Sequence, residues 1–378
     1  MLSRLIGRHR ASPPARRICV LHAGLPKTGS SALQHFLSHN ARQLRRCGIL
    51  YPKAGRTRPA SVEHGRLMRE IAGRPFFEKT GFMPDQLDRE IRRVPHELLL
   101  ISSEFLFGPL FFHPDPRLPA FFRARGYALH LVLYLRDQPE HLNSAYAQQV
   151  KTAREGEGID AYIARRLTLS PPPSGNFSDL RHLLAAELPG RQHFRPYNAA
   201  LRQSGVEADF LALLQRICAA EGVAERLVGS DASRFRPVAR VNETCGPVQV
   251  AVARAVSRRL SPRFKRLEWL RASVGIEAII ATSVAAACGR EPAYSAMTAA
   301  RYAHIRAQLA RHNDRFARKC WQTSWAEMFP ARAPCTLQSN DLDDIQNADQ
   351  TALAAALVED LMPKIEAHID QRIRKGLV

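Results

Sequence analysis

The chain has 378 residues, 45% of them hydrophobic, which is enough for one large α/β core with a helical addition. Its formal net charge of +20 suits a polyanionic donor, an acidic glycan, nucleic acid or a membrane surface, and does not choose among them. The seven cysteines are scattered without a CxxC pair, which excludes a zinc ribbon and argues for reduced thiols over a disulfide framework.

Residues 1–16 are basic, carry Pro13-Pro14 and lack the continuous apolar stretch of a signal peptide, so they read as a disordered or loosely docked arm. A strand is expected at 18–23, followed by the turn Gly24-Leu25-Pro26-Lys27-Thr28-Gly29-Ser30-Ser31 and a helix over 29–44. A helix starting there aims its unpaired amides and positive dipole end at an anion in the turn, and Lys27 adds a mobile charge. The turn differs from the GxxxxGK[ST] loop of nucleotide triphosphatases, because Gly29 follows the lysine. His22 lies inside the strand, as a base or as a packed histidine, and Cys19 reads as a small buried hydrophobe.

A short strand near 49–51, a loop over 53–60 and helices at 62–72 and 83–94 come next. Leu98–Ile101 reads as a buried central strand whose end brings Ser103 and Glu104 toward the Lys27 turn. Glu104 there either caps the next segment, pairs with an arginine, or takes a proton. A loop through Pro119 carries Phe105, Phe107, Phe111 and Phe112, which pack or line an acceptor pocket.

The apolar run His130–Leu135 ends in Arg136-Asp137, and Leu142, Ala145, Tyr146, Gln149 and Val150 then recur with helical spacing. Asp137 suits the N-cap and Pro139 the first turn. Arg136 thus follows a strand end and Ser144 faces back from the second turn of the helix, where open parallel sheets bind ligands; the pair can grip a second phosphate. Leu167–Asn176 is a loop, a helix follows near 177–188, and Gln192–Arg195 forms the last strand. Arg195 and Tyr197 at its end are nucleotide contacts, or equally a salt bridge and a packed ring. Residues 205–328 are mostly helical, with arginine-rich surfaces at 251–263 and 301–318 read chiefly as solvated faces, and a last helix spans 351–374. Val274–Cys288 is too short and alanine-rich to span a membrane and reads as a core helix. Alternating strands and helices predict an α/β fold, a mostly parallel central sheet with helices on both faces and a predominantly helical C-terminal half. The expected organisation is one domain over 17–330, with a loop and helix at 331–378 packed on it.

His22 through Gln34, with its Pro26-Lys27-Thr28-Gly29-Ser30-Ser31 centre, resembles the 5'-phosphosulfate loop of sulfotransferases that use 3'-phosphoadenosine 5'-phosphosulfate (PAPS), especially bacterial members. Leu133 through Lys151 resembles the family's 3'-phosphate element, with Arg136 and Ser144 eight positions apart. Arg195-Pro196-Tyr197, Asp209-Phe210-Leu211, Val241-Asn242-Glu243-Thr244 and Asn313 are weaker matches, and the likeness covers residues 17–330. The resemblance implies a P-loop-like sulfotransferase fold and transfer of a sulfuryl group from PAPS to a hydroxyl, leaving 3'-phosphoadenosine 5'-phosphate (PAP) without a metal. Lys27, Ser30 and Ser31 would hold the phosphosulfate, Arg136 and Ser144 the 3'-phosphate, and Glu104, or His22 in its place, would be the base. It implies a carbohydrate or glycolipid acceptor, which the basic surface allows to be acidic. The dispersed cysteines suit reduced intracellular thiols, so a cytoplasmic protein is expected, with peripheral attachment to the inner membrane face left open. The acceptor's identity and the oligomeric state are not written in these motifs. The rival readings are an ATP-dependent P-loop kinase, with Asp137 as magnesium ligand, and a non-catalytic polyanion-binding protein. Binding of nucleic acid is disfavoured by the lack of a recognition helix or aromatic-basic repeat.

Overall fold

The computed structural model describes residues 17–56, 62–71, 73, 83–106, 115–168, 191–223, 235–237 and 245–378. The expected arm at 1–16, the phenylalanines at 107, 111 and 112, the helix at 177–188 and the Val241–Thr244 match lie outside the described residues. The protein is an α/β fold with a parallel central sheet flanked by helices and a predominantly helical C-terminal half. Its residues divide into two compact units, Met1–Leu135 with Arg181–Arg240, and Arg136–Leu180 with Val241–Val378.

The first unit holds the sheet. Strands β1 (Arg17–His22), β2 (Ile49–Leu50), β3 (Leu98–Ser102), β4 (Tyr127–Leu135) and β5 (Gln192–Pro196) run parallel in the order β2-β3-β1-β4-β5. β1 is central, its His22 in register with Ser102 on one side and Val132 on the other. Alternate residues of each strand point to opposite faces, so strands covered on both sides are apolar throughout. Ile18, Val20, Leu98, Leu100, Val132 and Tyr134 share one apolar cluster with helices α1 (Ser30–His39), α2 (Ala41–Arg46), α8 (Ala199–Ser204) and α9 (Val206–Ala220). Cys19, Leu21, Leu99, Ile101, Leu131 and Leu133 are also buried, and α5 (Arg117–Arg123) packs on β4. Between α2 and α5 in sequence lie α3 (Gly65–Ile71), α4 (Met83–Arg93) and a 3-10 turn at Glu104–Leu106.

The helix expected over 29–44 is two helices, because Asn40 stops the first. Its amide group donates to the Phe36 carbonyl and to the Arg236 carbonyl, both at 3.0 Å, while its side-chain oxygen accepts the Arg236 amide. An asparagine whose side chain satisfies main-chain groups competes with helix continuation. α5 lies where a loop through Pro119 was expected; the proline sits in its first turn, where a missing N–H costs little.

The second unit is helical: α6 (Gln138–Lys151), α7 (Ile159–Thr168), α10 (Pro247–Leu260), α11 (Arg266–Ala272), α12 (Ile276–Cys288), α13 (Ala299–Trp321), α14 (Trp325–Met328) and α15 (Ala348–Arg374). Leu142, Tyr146, Val252, Val256, Ile280, Ile305, Leu361 and Ile365 belong to one core, in which α15 packs on α10. Arginines expected to be solvated are largely paired: Arg259 with Glu359, Arg263 with Glu366, and Arg301 with Asp160 and Asp344. Among the described residues no single helix is long and apolar enough to cross a membrane; α11 and α12 pass that test only as a pair bent by 51°. α12 buries Ile276, Ile280 and Val284 and exposes alanines on its other side.

At the centre of this unit Arg254, 2% exposed, binds Asp341, 1% exposed, through two nitrogens at 3.0 and 2.9 Å, and Tyr146 and Tyr294 complete the network. Burial alone would raise the Asp341 carboxyl; the bonds and charge of Arg254 outweigh it and hold Asp341 below its ordinary range. A depressed folded-state value means stabilisation that is present above the unfolded carboxyl value and lost as pH falls through the folded one. Asp341→Ala leaves the buried guanidinium with only the half-exposed Asp343, 2.9 Å away, as acidic partner, and a loss of about 3 kcal/mol is expected in urea unfolding at neutral pH. The gap between variant and parent should narrow on acidification.

Candidate functional site

The chain leaves β1 through a turn that continues the sheet before it bends. The Ala23 and Leu25 amides donate to the Val132 and Tyr134 carbonyls at 3.0 and 3.1 Å, and Tyr134 returns a bond to the Gly24 carbonyl at 2.8 Å. Three residues then take left-handed backbone angles: Gly24 at φ 93°, Lys27 at φ 68° and Gly29 at φ 82°. Glycine bears this without cost, whereas Lys27 pays for its Cβ. Thr28 and Ser30, both buried, donate their hydroxyls to the one Leu25 carbonyl at 2.6 and 2.8 Å. Their protons therefore close the loop. What the turn offers an anion is the exposed Ser31, the half-buried Lys27 and the first amides of α1, which have no carbonyl one turn earlier to bond.

Two glycines mark where other elements touch this turn. A Cβ on Gly29 would stand 3.0 Å from the Tyr197 ring and 3.3 Å from Val206. A Cβ on Gly24 would stand 3.7 Å from Glu104 Cγ. Tyr197, beyond β5, and Glu104, beyond β3, thus both lie against the Lys27 turn, at the carboxyl edge of the sheet. Burial raises the Glu104 carboxyl above its usual range and the charge of Glu63 adds to this; Lys27 and the Ser30 hydroxyl pull the other way.

His22 lies beneath the turn. It is fully buried, with Nδ1 2.8 Å from Ser102 Oγ and its ring edge-on to Tyr134 and Phe210. Nε2 has no partner among the described residues, and burial holds the imidazole down to about 3. Arg195 grips Asp209 with two nitrogens, and Asp209 also accepts the Tyr134 hydroxyl at 2.8 Å. Its charge therefore ties β5 to α9.

In the second unit Arg136 Nε bonds Glu140 at 3.1 Å and Ser144 is half-buried in the second turn of α6. Asp137, the residue before α6, is buried and both its oxygens are used: Trp325 Nε1 donates at 2.9 Å, the Tyr302 hydroxyl donates at 3.1 Å, and Arg306 stands 3.4 Å away. Gln138 exchanges two amide bonds with Asn313, at 2.6 and 3.0 Å. The start of α6 is thereby fastened to α13 and α14.

The sequence reading missed Glu63. It falls at the start of the helix expected over 62–72, which begins instead at Gly65, and only the approach of residues 40 positions apart reveals it: Ser103 Oγ donates to Glu63 Oε2 at 2.9 Å. Among the described residues no group of three metal-ligating side chains comes together.

No protein-family model and no curated protein matched the chain. Among solved structures there is a weak match to a sulfotransferase from Alicyclobacillus acidocaldarius, 15% identical, with a TM-score of 0.37 and covering 67% of this chain and 95% of that one.

Proposed function

We propose that the protein is a sulfotransferase that moves a sulfuryl group from PAPS to the hydroxyl of a carbohydrate or glycolipid. The observation that carries this reading is the Lys27 turn itself: a lysine sits in the left-handed turn that opens α1, whose first amides have no carbonyl one turn earlier, and a half-buried carboxyl, Glu104, lies against Gly24. Lys27, Gly29, Ser31 and the amides around them hold the 5'-phosphosulfate and take up charge on the leaving phosphate as the bond to sulfur breaks. Thr28 and Ser30 keep the loop in shape, and Tyr197 walls it beside Gly29. Glu104 takes the acceptor's proton. We prefer it to His22, because an imidazole held down to about 3 is a feeble base near neutrality, whereas a raised carboxyl is a better one. Arg136 and Ser144 are assigned to the 3'-phosphate.

The kinase reading is the weaker one because Asp137, its candidate magnesium ligand, already spends both oxygens on Trp325 and Tyr302. Calorimetry separates the two: saturable binding of PAP, with little binding of ATP plus magnesium, is expected. Arg136→Ala should weaken PAP about 10- to 100-fold, the worth of a charge-assisted phosphate contact, and leave adenosine 5'-phosphosulfate, which lacks the 3'-phosphate, nearly unchanged. Equal losses for both ligands would remove Arg136 from the 3'-phosphate.

A further inference from the structure

Glu63 is bonded to the residue that precedes Glu104, and Phe105, which follows Glu104, stands beside Gly65 with Glu63. The Ser103 hydroxyl donates to Glu63 Oε2 at 2.9 Å and accepts the Phe105 amide at 3.1 Å. The Ser103 amide is itself bonded to the His22 carbonyl at 3.0 Å, so the residue that holds Glu63 is pinned to the end of β1 and adjoins Glu104 in sequence. Glu63 and Phe105 both approach Gly65 closely: a Cβ there would stand 2.6 Å from Glu63 Oε1 and 2.5 Å from the Phe105 ring. Arg69 of α3 lies over that ring, 3.7 Å from its centroid. Glu63 therefore stands beside Gly65, Ser103 and Phe105 while Glu104 rests on Gly24.

We propose that Glu63 and Glu104 act as one carboxyl pair, Glu63 held by Ser103 as the positioning residue and Glu104 over the turn as the group that takes the acceptor's proton. This rests on the sulfotransferase reading for its second half only.

Lys27 from the turn and Ser30 from α1 face Glu104; Ser103 and Arg69 face Glu63, whose charge also reaches Tyr51 beyond β2; and His22 in β1 is neutral. Burial raises the carboxyl of each glutamate, and the charge of Glu63 raises Glu104 further. Two anions in one partly desolvated space oppose each other's ionisation, so a proton is held more tightly by the pair than by either acid alone. That suits the transfer step. The acceptor oxygen forms its bond to sulfur as the bond from sulfur to the 5'-phosphate oxygen breaks, the electron pair leaves on PAP, and the acceptor's proton passes to Glu104. Its arrival cancels the repulsion from Glu63, a relief realised only as the reaction proceeds.

Carboxyl titrations followed by carbon-13 NMR on glutamate-labelled protein test the pair without any turnover. In Glu63→Gln the Glu104 signal is expected to titrate at lower pH than in the parent, and in Glu104→Gln the Glu63 signal should move down likewise. Ser103→Ala, which keeps both acids, should move both titrations and serves if Glu63→Gln does not fold. Unmoved titrations in folded variants overturn the pair. In turnover, Glu63→Gln should lower kcat about 10-fold at unchanged PAP affinity and carry the acidic limb of the pH profile to lower pH. A limb that stays in place, with stability alone reduced, overturns the positioning role. Coupled titrations in a protein that transfers no sulfuryl group would keep the pair and overturn the transfer reading.

Discussion

Lys27→Ala is expected to lower kcat/KM for PAPS about 10²- to 10³-fold, the cost of removing one preorganised charge from a site where negative charge develops. The substitution is clean at the level of the backbone. Lys27 already holds φ 68° with a Cβ, so alanine inherits the same conformational cost and the turn should keep its shape. The loop is closed by Thr28 and Ser30 on the Leu25 carbonyl, and neither hydroxyl depends on the lysine. Calorimetry with PAP should therefore report weaker binding in a protein whose unfolding is unchanged. A second effect follows from the same charge. Lys27 pulls the Glu104 carboxyl down against burial and Glu63, so its removal lets Glu104 bind its proton more tightly. Since the ionised form is the base, the acidic limb of the pH profile should move to higher pH in Lys27→Ala, opposite in sign to the shift expected for Glu63→Gln. Unchanged PAP affinity in both Lys27→Ala and Arg136→Ala would defeat the donor assignment.

The parts of the fold that local chemistry dictates were legible in the sequence. Continuous apolar runs at Ile18–Leu21, Leu98–Ile101 and Leu129–Leu135 announce strands covered on both faces, and they occupy the middle of the sheet. The Lys27 turn was legible because its glycines stand where left-handed angles are needed, and Asp137 and Pro139 mark the start of α6. What failed to show are features made by distant residues. Asn40 breaks a helix whose periodicity runs on, through bonds to Arg236 196 positions away. Arg195 has the same appearance in sequence whether it meets a nucleotide or Asp209, and the choice depends on how β5 meets α9. Arg259 and Arg263 are as exposed as the sequence suggests, whereas Arg254 of α10 is buried because its partner Asp341 lies in a distant loop. Glu63 carries no local mark at all; its environment is supplied by the end of β3.

Glu104→Gln is expected to leave PAP binding intact and to cut kcat about 10²- to 10⁴-fold, the usual contribution of a general base. Glutamine keeps the shape of the side chain over Gly24 and can still hydrogen-bond Ser30, so the turn loses neither packing nor its polar neighbour. It cannot take a proton. The loss should therefore appear in kcat and not in donor affinity, which distinguishes it from Lys27→Ala. In the parent, activity should rise with pH through the raised Glu104 value, because burial and Glu63 delay its ionisation beyond that of an ordinary carboxyl. In Glu104→Gln that limb should vanish and leave a flat residual rate. Glu104→Asp gives the complementary result: a base set back by one methylene still titrates, so a limb should persist at a reduced plateau. Full turnover in Glu104→Gln would transfer the proton to another group, and His22→Gln would then be the variant to follow, since His22 ends β1 directly before the turn.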